Sequence, residues 1–193
     1  MNIELIYIAF YSYVLGSIPF GLLLTKFFLK KDIRKIGSGN IGATNVLRTG
    51  KKSLSLATLI FDGLKSYVSV LITLSFFPDY IYLSGLLCFL GHVFPIWLKF
   101  NGGKGIAVYF GVLCAFSFYL GSIFIITWGL VLYFSKYSSL ASLISVLTIF
   151  LYSVNLNNFN MSLLFFMIFI IVIYTHRENI SRLRSKTENK IKF

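Results

Sequence analysis

Carboxylates are scarce. Only 6 of the 193 residues are Asp or Glu, against 18 Lys and Arg, and only 2 are His. Metal-dependent lipid enzymes such as the CDP-alcohol phosphotransferases gather aspartates around divalent ions. No such cluster can be built from Asp32, Asp62, Glu178 and Glu188, the four that accompany the basic segments, so no metal is expected. An aspartate at the spacing of the acyl-CoA acyltransferase His-Asp pair does not follow His92, and no Ser-His-Asp triad can be assembled. Cysteine is equally sparse. Cys88 and Cys114 stand singly in apolar segments, which excludes a disulfide framework or thiolate metal site and leaves two buried, inert thiols. The opening MNIELIYIAF has no basic n-region and GSIPFG is no cleavage site, so no secretory signal is expected.

What is abundant is apolar surface. Hydrophobic residues make up 57% of the chain, Phe alone numbers 21, and only 12% of residues are charged. One soluble core of this size cannot hide so much. Segments 5–29, 54–77, 80–98 and 161–175 are nearly free of charge, and most approach the roughly 20 residues that cross a bilayer. The expectation is an all-α polytopic membrane protein, with residues 1–193 forming a single transmembrane domain.

Placement of the basic residues sets its topology. Nine of the 18 Lys and Arg fall between Lys26 and Lys65, Lys99 and Lys104 follow the span ending near Trp97, Lys136 stands alone, and six lie after Thr175. The N-terminus, FPDY, the region near 117–123 and NLNNFN carry none. A net charge of +12 distributed in this way follows the positive-inside rule and does not indicate nucleic acid. The N-terminus is then outside and the C-terminus cytoplasmic, which requires an odd number of crossings. About seven transmembrane helices fit: 5–29, 54–77, 80–98, 106–118, 120–135, 140–154 and 161–175. The fourth and sixth are short, tilted or partial; a five-span reading merges or drops that pair.

Three polar constellations lie on the cytoplasmic side. In GSGNIGATNVLR (37–48), Ser38, Gly39, Asn40, Gly42, Thr44 and Asn45 precede Arg48. Small residues, amides and hydroxyls beside a planar guanidinium suit an anion, and a helix beginning after Gly42 or at Ser53 would add to this. The other reading is a flexible loop whose arginine faces lipid phosphate. FNGGKGIA (100–107) sets Lys104 among Gly102, Gly103 and Gly105. It lacks the Walker spacing and a preceding strand, which leaves a phosphate cradle or a lysine snorkelling at a helix end. In IYTHRENISRLR (173–184), His176 and Asn179 share a helix face, either as polar site residues or as an interfacial helix end with a basic anchor. Ser142 of SLAS can reach a polar site on the same side. GSIPFG and GHVFP interrupt the first and third spans, a two-half pattern too short to establish duplication. An anion site with no nucleophile, metal or strong base fits an already activated substrate, such as an acyl phosphate.

GSIPFG, SGNIGATNVLR, Asp62 with Lys65, GHVFPIW followed by GGKGIA, SLAS and HREN occur in one order over nearly the whole chain. By these motifs the sequence resembles the bacterial acyl-phosphate-dependent glycerol-3-phosphate acyltransferases. Ser66 departs from the Lys-Gly usual in that family, which puts a specific role of Asp62 and Lys65 in doubt. The resemblance implies a membrane-integral enzyme transferring a fatty acyl group from acyl phosphate to the 1-hydroxyl of glycerol 3-phosphate, in phospholipid biosynthesis. It implies neither cofactor nor metal, membrane lipids as the only other partners, and no obligate protein partner. The site would face the cytoplasm from the bacterial inner membrane. Matching motifs implies that Ser38, Gly39, Asn40, Gly42, Thr44 and Asn45 hold substrate, and that Arg48 and Lys104 neutralise the two phosphates. Gly102, Gly103 and Gly105 would shape the approach, and Ser142, His176 and Asn179 would orient glycerol 3-phosphate. His176 could act as a base, but a binding role is favoured, with the departing phosphate taking the proton. Two rival classes are a small anion transporter and a non-catalytic lipid-binding subunit.

Overall fold

The computed structural model describes residues 3–191, and every regular element among them is helical. The chain falls into two compact units, Met1–Ala115 and Phe116–Phe193.

The first unit contains α1 (Ile3–Gly16), α2 (Phe20–Leu29), α3 (Ala43–Leu47), α4 (Lys52–Phe76), α5 (Ile81–Val93) and nearly all of α6 (Ile106–Phe116). Helices α1 and α2 form one apolar run of 27 residues, broken where Gly16 ends α1 and Pro19 precedes α2. Proline has no N–H to return to the preceding turn, and carbonyls at the break take side-chain donors. Trp97 Nε1 donates to the Ser17 carbonyl at 2.7 Å, and Lys65 Nζ to the Ile18 carbonyl at 2.7 Å. Helix α5 stops in the same way ahead of Pro95, and the Tyr13 hydroxyl donates to the Phe94 carbonyl at 2.7 Å. The two breaks come together because α1 and α5 approach along glycine. A Cβ at Gly16 would strike the Cys88 backbone, and one at Gly91 the Tyr13 carbonyl. Ser66 settles into the α4–α6 contact, where its hydroxyl reaches the Val108 carbonyl at 2.7 Å. The departure from the family pattern is accommodated there, and Asp62 and Lys65 still pair.

In the second unit, α7 (Phe118–Ser135), α8 (Ser138–Val154) and α9 (Phe159–Thr175) follow one another through short turns, and α8 packs on both neighbours. A 61° bend then leads into α10 (Arg177–Arg184). Ser117 caps α7 through its Oγ, 3.2 Å from the Tyr119 N–H, and so separates α7 from α6. The chain after α10 returns to the end of α7, and the Ile191 N–H donates to the Lys136 carbonyl at 2.8 Å.

Each of the seven expected apolar segments contains a helix. Among the described residues four, Ile3–Leu29, Lys52–Phe76, Pro78–Leu98 and Phe118–Ser135, are long and apolar enough to cross a membrane, and there are five if the bent α9–α10 pair is one span. The two segments expected to be short are α6, of 11 residues, and α8, of 17. Phe10, Phe27, Phe76, Phe134 and Phe159 remain exposed, as lipid-facing side chains do.

Candidate functional site

The glycine- and asparagine-rich segment packs on a small apolar core. Ile33, Ile41 and Val46 close over Leu22 in a small apolar core, with Ile36, Leu54 and Leu98 against it. Asp32 begins a 3-10 turn at Ile33–Lys35 by accepting the Arg34 N–H at 3.0 Å, and Arg34 NH2 reaches its other oxygen at 2.6 Å. Those hydrogen bonds hold the Asp32 carboxyl well below the usual carboxylate range.

Asn45, expected among the substrate-binding residues, is the hub of the segment. Its residue is 2% exposed, and Nδ2 lies 3.1, 2.9 and 2.8 Å from the carbonyls of Ile33, Ile36 and Asn40. Its Oδ1 accepts the Ser38 N–H at 3.0 Å. An amide whose donors and acceptor all serve backbone fixes a turn. Part of the expected backbone cradle is likewise engaged within the segment. The Gly39 N–H donates to the Ile36 carbonyl at 3.0 Å and the Gly42 N–H to Asn40 Oδ1 at 2.8 Å. What the segment presents outward are the side chains of Ser38, Thr44 and Arg48. Arg48 lies across Gly37, where a Cβ would meet its Cδ and NH1 as well as Asn45 Oδ1. Ser53, expected as a possible helix start, lies inside the first turn of α4, whose N-cap is Lys51.

The GGKG loop is fastened to the broken end of α5. The Gly102 N–H donates to the Val93 carbonyl at 3.0 Å and the Gly103 N–H to the His92 carbonyl at 3.0 Å. These two N–H groups therefore hold the loop, and what the glycines supply is space. A Cβ at Gly103 would run into the His92 ring at Nε2; Gly105, at φ +83°, lies against the Phe89 ring. The Gly105 carbonyl accepts the Tyr109 N–H at 2.7 Å and starts α6. Lys104, partly exposed, stands between two pinned glycines.

Beneath the loop lies a cluster that motif reading named without assigning a role. Lys65 Nζ is 2.8 Å from Asp62 Oδ1, 2.7 Å from the Ile18 carbonyl and 2.9 Å from His92 Nδ1. Three protons meet three acceptors, with side-chain exposures of 2% for Lys65 and 3% for Asp62. An ammonium cannot accept, so His92 Nδ1 must, and the ring carries its proton on Nε2, the nitrogen facing Gly103. The available sequence signal was a Lys three residues after an Asp on an apolar helix, because charge at that depth persists only when paired.

In the second unit Ser142, expected to reach a polar site and to orient glycerol 3-phosphate, is buried. Its hydroxyl lies 2.9 Å from the Ser138 carbonyl and accepts Trp128 Nε1 at 3.2 Å. His176 sits at the bend as the N-cap of α10, three residues before Asn179, and both are buried. Its Nδ1 is 2.9 Å from the Val172 carbonyl. A carbonyl only accepts, so that proton is on Nδ1, and the lone pair of a neutral ring is on Nε2. Asn179 Nδ2 donates to Glu188 Oε1 at 2.6 Å; Ser139 Oγ reaches the same oxygen at 2.7 Å, and Arg182 Nε reaches Oε2 at 2.6 Å. Burial works against ionisation of Glu188, but its hydrogen bonds with Ser139, Arg182 and Asn179 together outweigh it and hold the carboxyl below the ordinary range. Sequence reading assigned Glu188 no role. Ser38, Arg48 and Lys104 thus belong to one unit, and Ser142, His176 and Asn179 to the other.

The family profile described as glycerol-3-phosphate acyltransferase matches residues 6–186. The chain belongs to the glycerol-3-phosphate acyltransferase family. A glycerol-3-phosphate acyltransferase of Pelagibacter ubique (strain HTCC1062) is 54% identical over 189 residues, covering 98% of either chain. Among solved structures, the crystal structure of the integral membrane glycerol 3-phosphate acyltransferase PlsY in its glycerol 3-phosphate form is similar with a TM-score of 0.93 at 33% identity. The similarity covers 98% of this chain and 96% of that one. The lysophosphatidic acid form of PlsY matches with a TM-score of 0.90 over the same shares. Membership of this family and the apolar helices make the chain a multi-pass integral membrane protein.

Proposed function

We propose that the chain transfers a fatty acyl group from an acyl phosphate to the 1-hydroxyl of glycerol 3-phosphate. The observation that carries the reading is the family match across residues 6–186. The two forms in which the related enzyme was solved, with glycerol 3-phosphate and with lysophosphatidic acid, support this acceptor and this product. The donor rests on the motif resemblance and on chemistry. The first unit offers two loops carrying Arg48 and Lys104, and a mixed anhydride needs charge screening and alignment more than it needs an enzyme nucleophile.

In the proposed step the 1-hydroxyl oxygen attacks the acyl carbonyl, the bond from that carbon to the phosphate oxygen breaks, and inorganic phosphate leaves with the hydroxyl proton. Arg48 and Lys104 screen the phosphate charges, Ser38 and Thr44 offer hydroxyls beside Arg48, and His176 and Asn179 orient glycerol 3-phosphate. Residues 1–193 make one acyltransferase domain, and the reaction takes place without a metal. Purified protein is expected to release phosphate from palmitoyl phosphate only when glycerol 3-phosphate is present, and to do so in EDTA. Phosphate flux into proteoliposomes without release would replace the enzyme by a transporter. Lys104→Ala is expected to cut turnover roughly 10- to 150-fold, the loss of one charge-assisted contact of about 1.5–3 kcal/mol. Unchanged kcat and KM would return Lys104 to a snorkelling helix end.

The proposed orientation has seven crossings, with the N-terminus outside and the site facing the cytoplasm, supported by the one-sided Lys and Arg. Asn155→Cys is expected to react with an impermeant maleimide on intact cells and Asn189→Cys only after permeabilisation. The reverse pattern inverts the topology.

A further inference from the structure

Two of the contacts that seat the GGKG loop belong to one residue. His92 supplies the carbonyl that binds the Gly103 N–H, and its ring edge fills the place where a Gly103 side chain would stand. The orientation of that ring is set from its far side by Lys65, at 2.9 Å from Nδ1. Lys65 is held in turn by Asp62 and by the Ile18 carbonyl at the break between α1 and α2. One ammonium therefore ties together both interrupted helical runs of the unit and the loop that leaves the second of them. A buried ion pair is weak evidence for stability, because apolar residues of similar volume can replace it at little cost. An arrangement in which all three lysine protons are directed, one of them onto the ring under Gly103, needs another account.

We infer that the Asp62–Lys65 pair, acting through His92, positions the GGKG loop and so determines where the Lys104 ammonium stands. Asp62, Lys65 and His92 are positioning residues, and the inference rests on the proposed role of Lys104 in screening phosphate. Removing the pair leaves a loop whose glycines are still small but whose floor can turn. The cationic head then samples several places, and the gain from a fixed charge is lost.

The test is a double-mutant cycle on the full-length protein in detergent. Asp62→Leu with Lys65→Met removes both charges and keeps approximate volume. It is expected to remain monodisperse and to lower kcat/KM by about 10-fold or more. Combined with Lys104→Ala, it should fall no further than about twofold below Lys104→Ala alone, because the two changes remove one effect. His92→Phe leaves the ion pair in place, removes the Nδ1 acceptor, and should show the same non-additivity; it carries the test if the charge-pair variant does not fold. Hydrogen exchange adds a readout independent of turnover. Peptides containing Gly102 and Gly103 should exchange about 10-fold faster in either variant, with 32–48 unchanged. Losses that multiply with that of Lys104→Ala, or loop exchange equal to that of the unmodified protein, overturn the inference and leave the acyltransferase reading intact. Full activity in Lys104→Ala alone overturns the reading of the loop and the inference with it.

Discussion

Asp62 and Glu188 each hold a segment that carries proposed site residues, and they do so in different surroundings. Asp62 lies in α4 of the first unit with 3% of its side chain exposed, and its partner Lys65 is at 2%. Glu188 lies beyond α10 in the second unit at 9%, and its partner Arg182 is at 35%. The first pair is shut in among apolar helices, where each charge depends on the other. The second has water at one side, and Ser139, Asn179 and Arg182 all donate to the carboxylate. Position in the bilayer accounts for the difference. A carboxylate in a span needs a cation at fixed distance, whereas one at the interfacial end can be held by ordinary hydrogen bonds and remain open to salt and pH.

The contrast is sharpest in single substitutions. Asp62→Ala leaves Lys65 charged and buried without its carboxylate, which is expected to cost about 3–5 kcal/mol and to lower Tm in detergent by roughly 6–20 °C. Asp62→Leu with Lys65→Met should restore most of that stability, because no charge is left uncompensated. A Tm for Asp62→Ala close to that of the unsubstituted protein would mean that water reaches Lys65, and the first region would then resemble the second.

How far each region was legible in the sequence follows the same division. Apolar runs marked the membrane helices, because that signal is summed over many residues, and Pro19 and Pro95 marked both breaks because proline acts locally. The motifs singled out two loops that the structure packs closely, but did not show that the Asn45 amide, expected among the substrate-binding groups, closes a turn. Whether a buried amide faces ligand or backbone depends on contacts with Ile33, Ile36 and Asn40, which a motif does not encode. Gly102 and Gly103 show the same limit: glycine announces a close approach, but not that the approaching group is His92. Glu188 was passed over because a lone acid in a basic tail has no pattern, and its meaning comes from the return of the chain to Lys136.

The smallest expected effect lies at Glu188 and tests the exposed half of the contrast. Hydrogen bonding holds its folded-state pKa below the ordinary glutamate value. For a depressed carboxyl the stabilising contribution is complete above the unfolded pKa, about 4.3, and is lost as pH falls through the folded value. Glu188→Gln is therefore expected to lower stability by about 1 kcal/mol at pH 7, and to make no difference once the pH is below the folded value. Added salt should narrow the gap at neutral pH, since Arg182 is partly in water. Because Asn179 Nδ2 donates to Glu188 Oε1, the substitution should also loosen the Asn179 amide and raise KM for glycerol 3-phosphate more than it lowers kcat. Thermal melts at pH 7 and at successively lower pH, starting at about 4 and continuing until the folded carboxyl is protonated, decide the matter when paired with initial rates at neutral pH. A destabilisation that persists unchanged at the lower pH would mean that the introduced amide disturbs packing and that the charge of Glu188 contributes nothing.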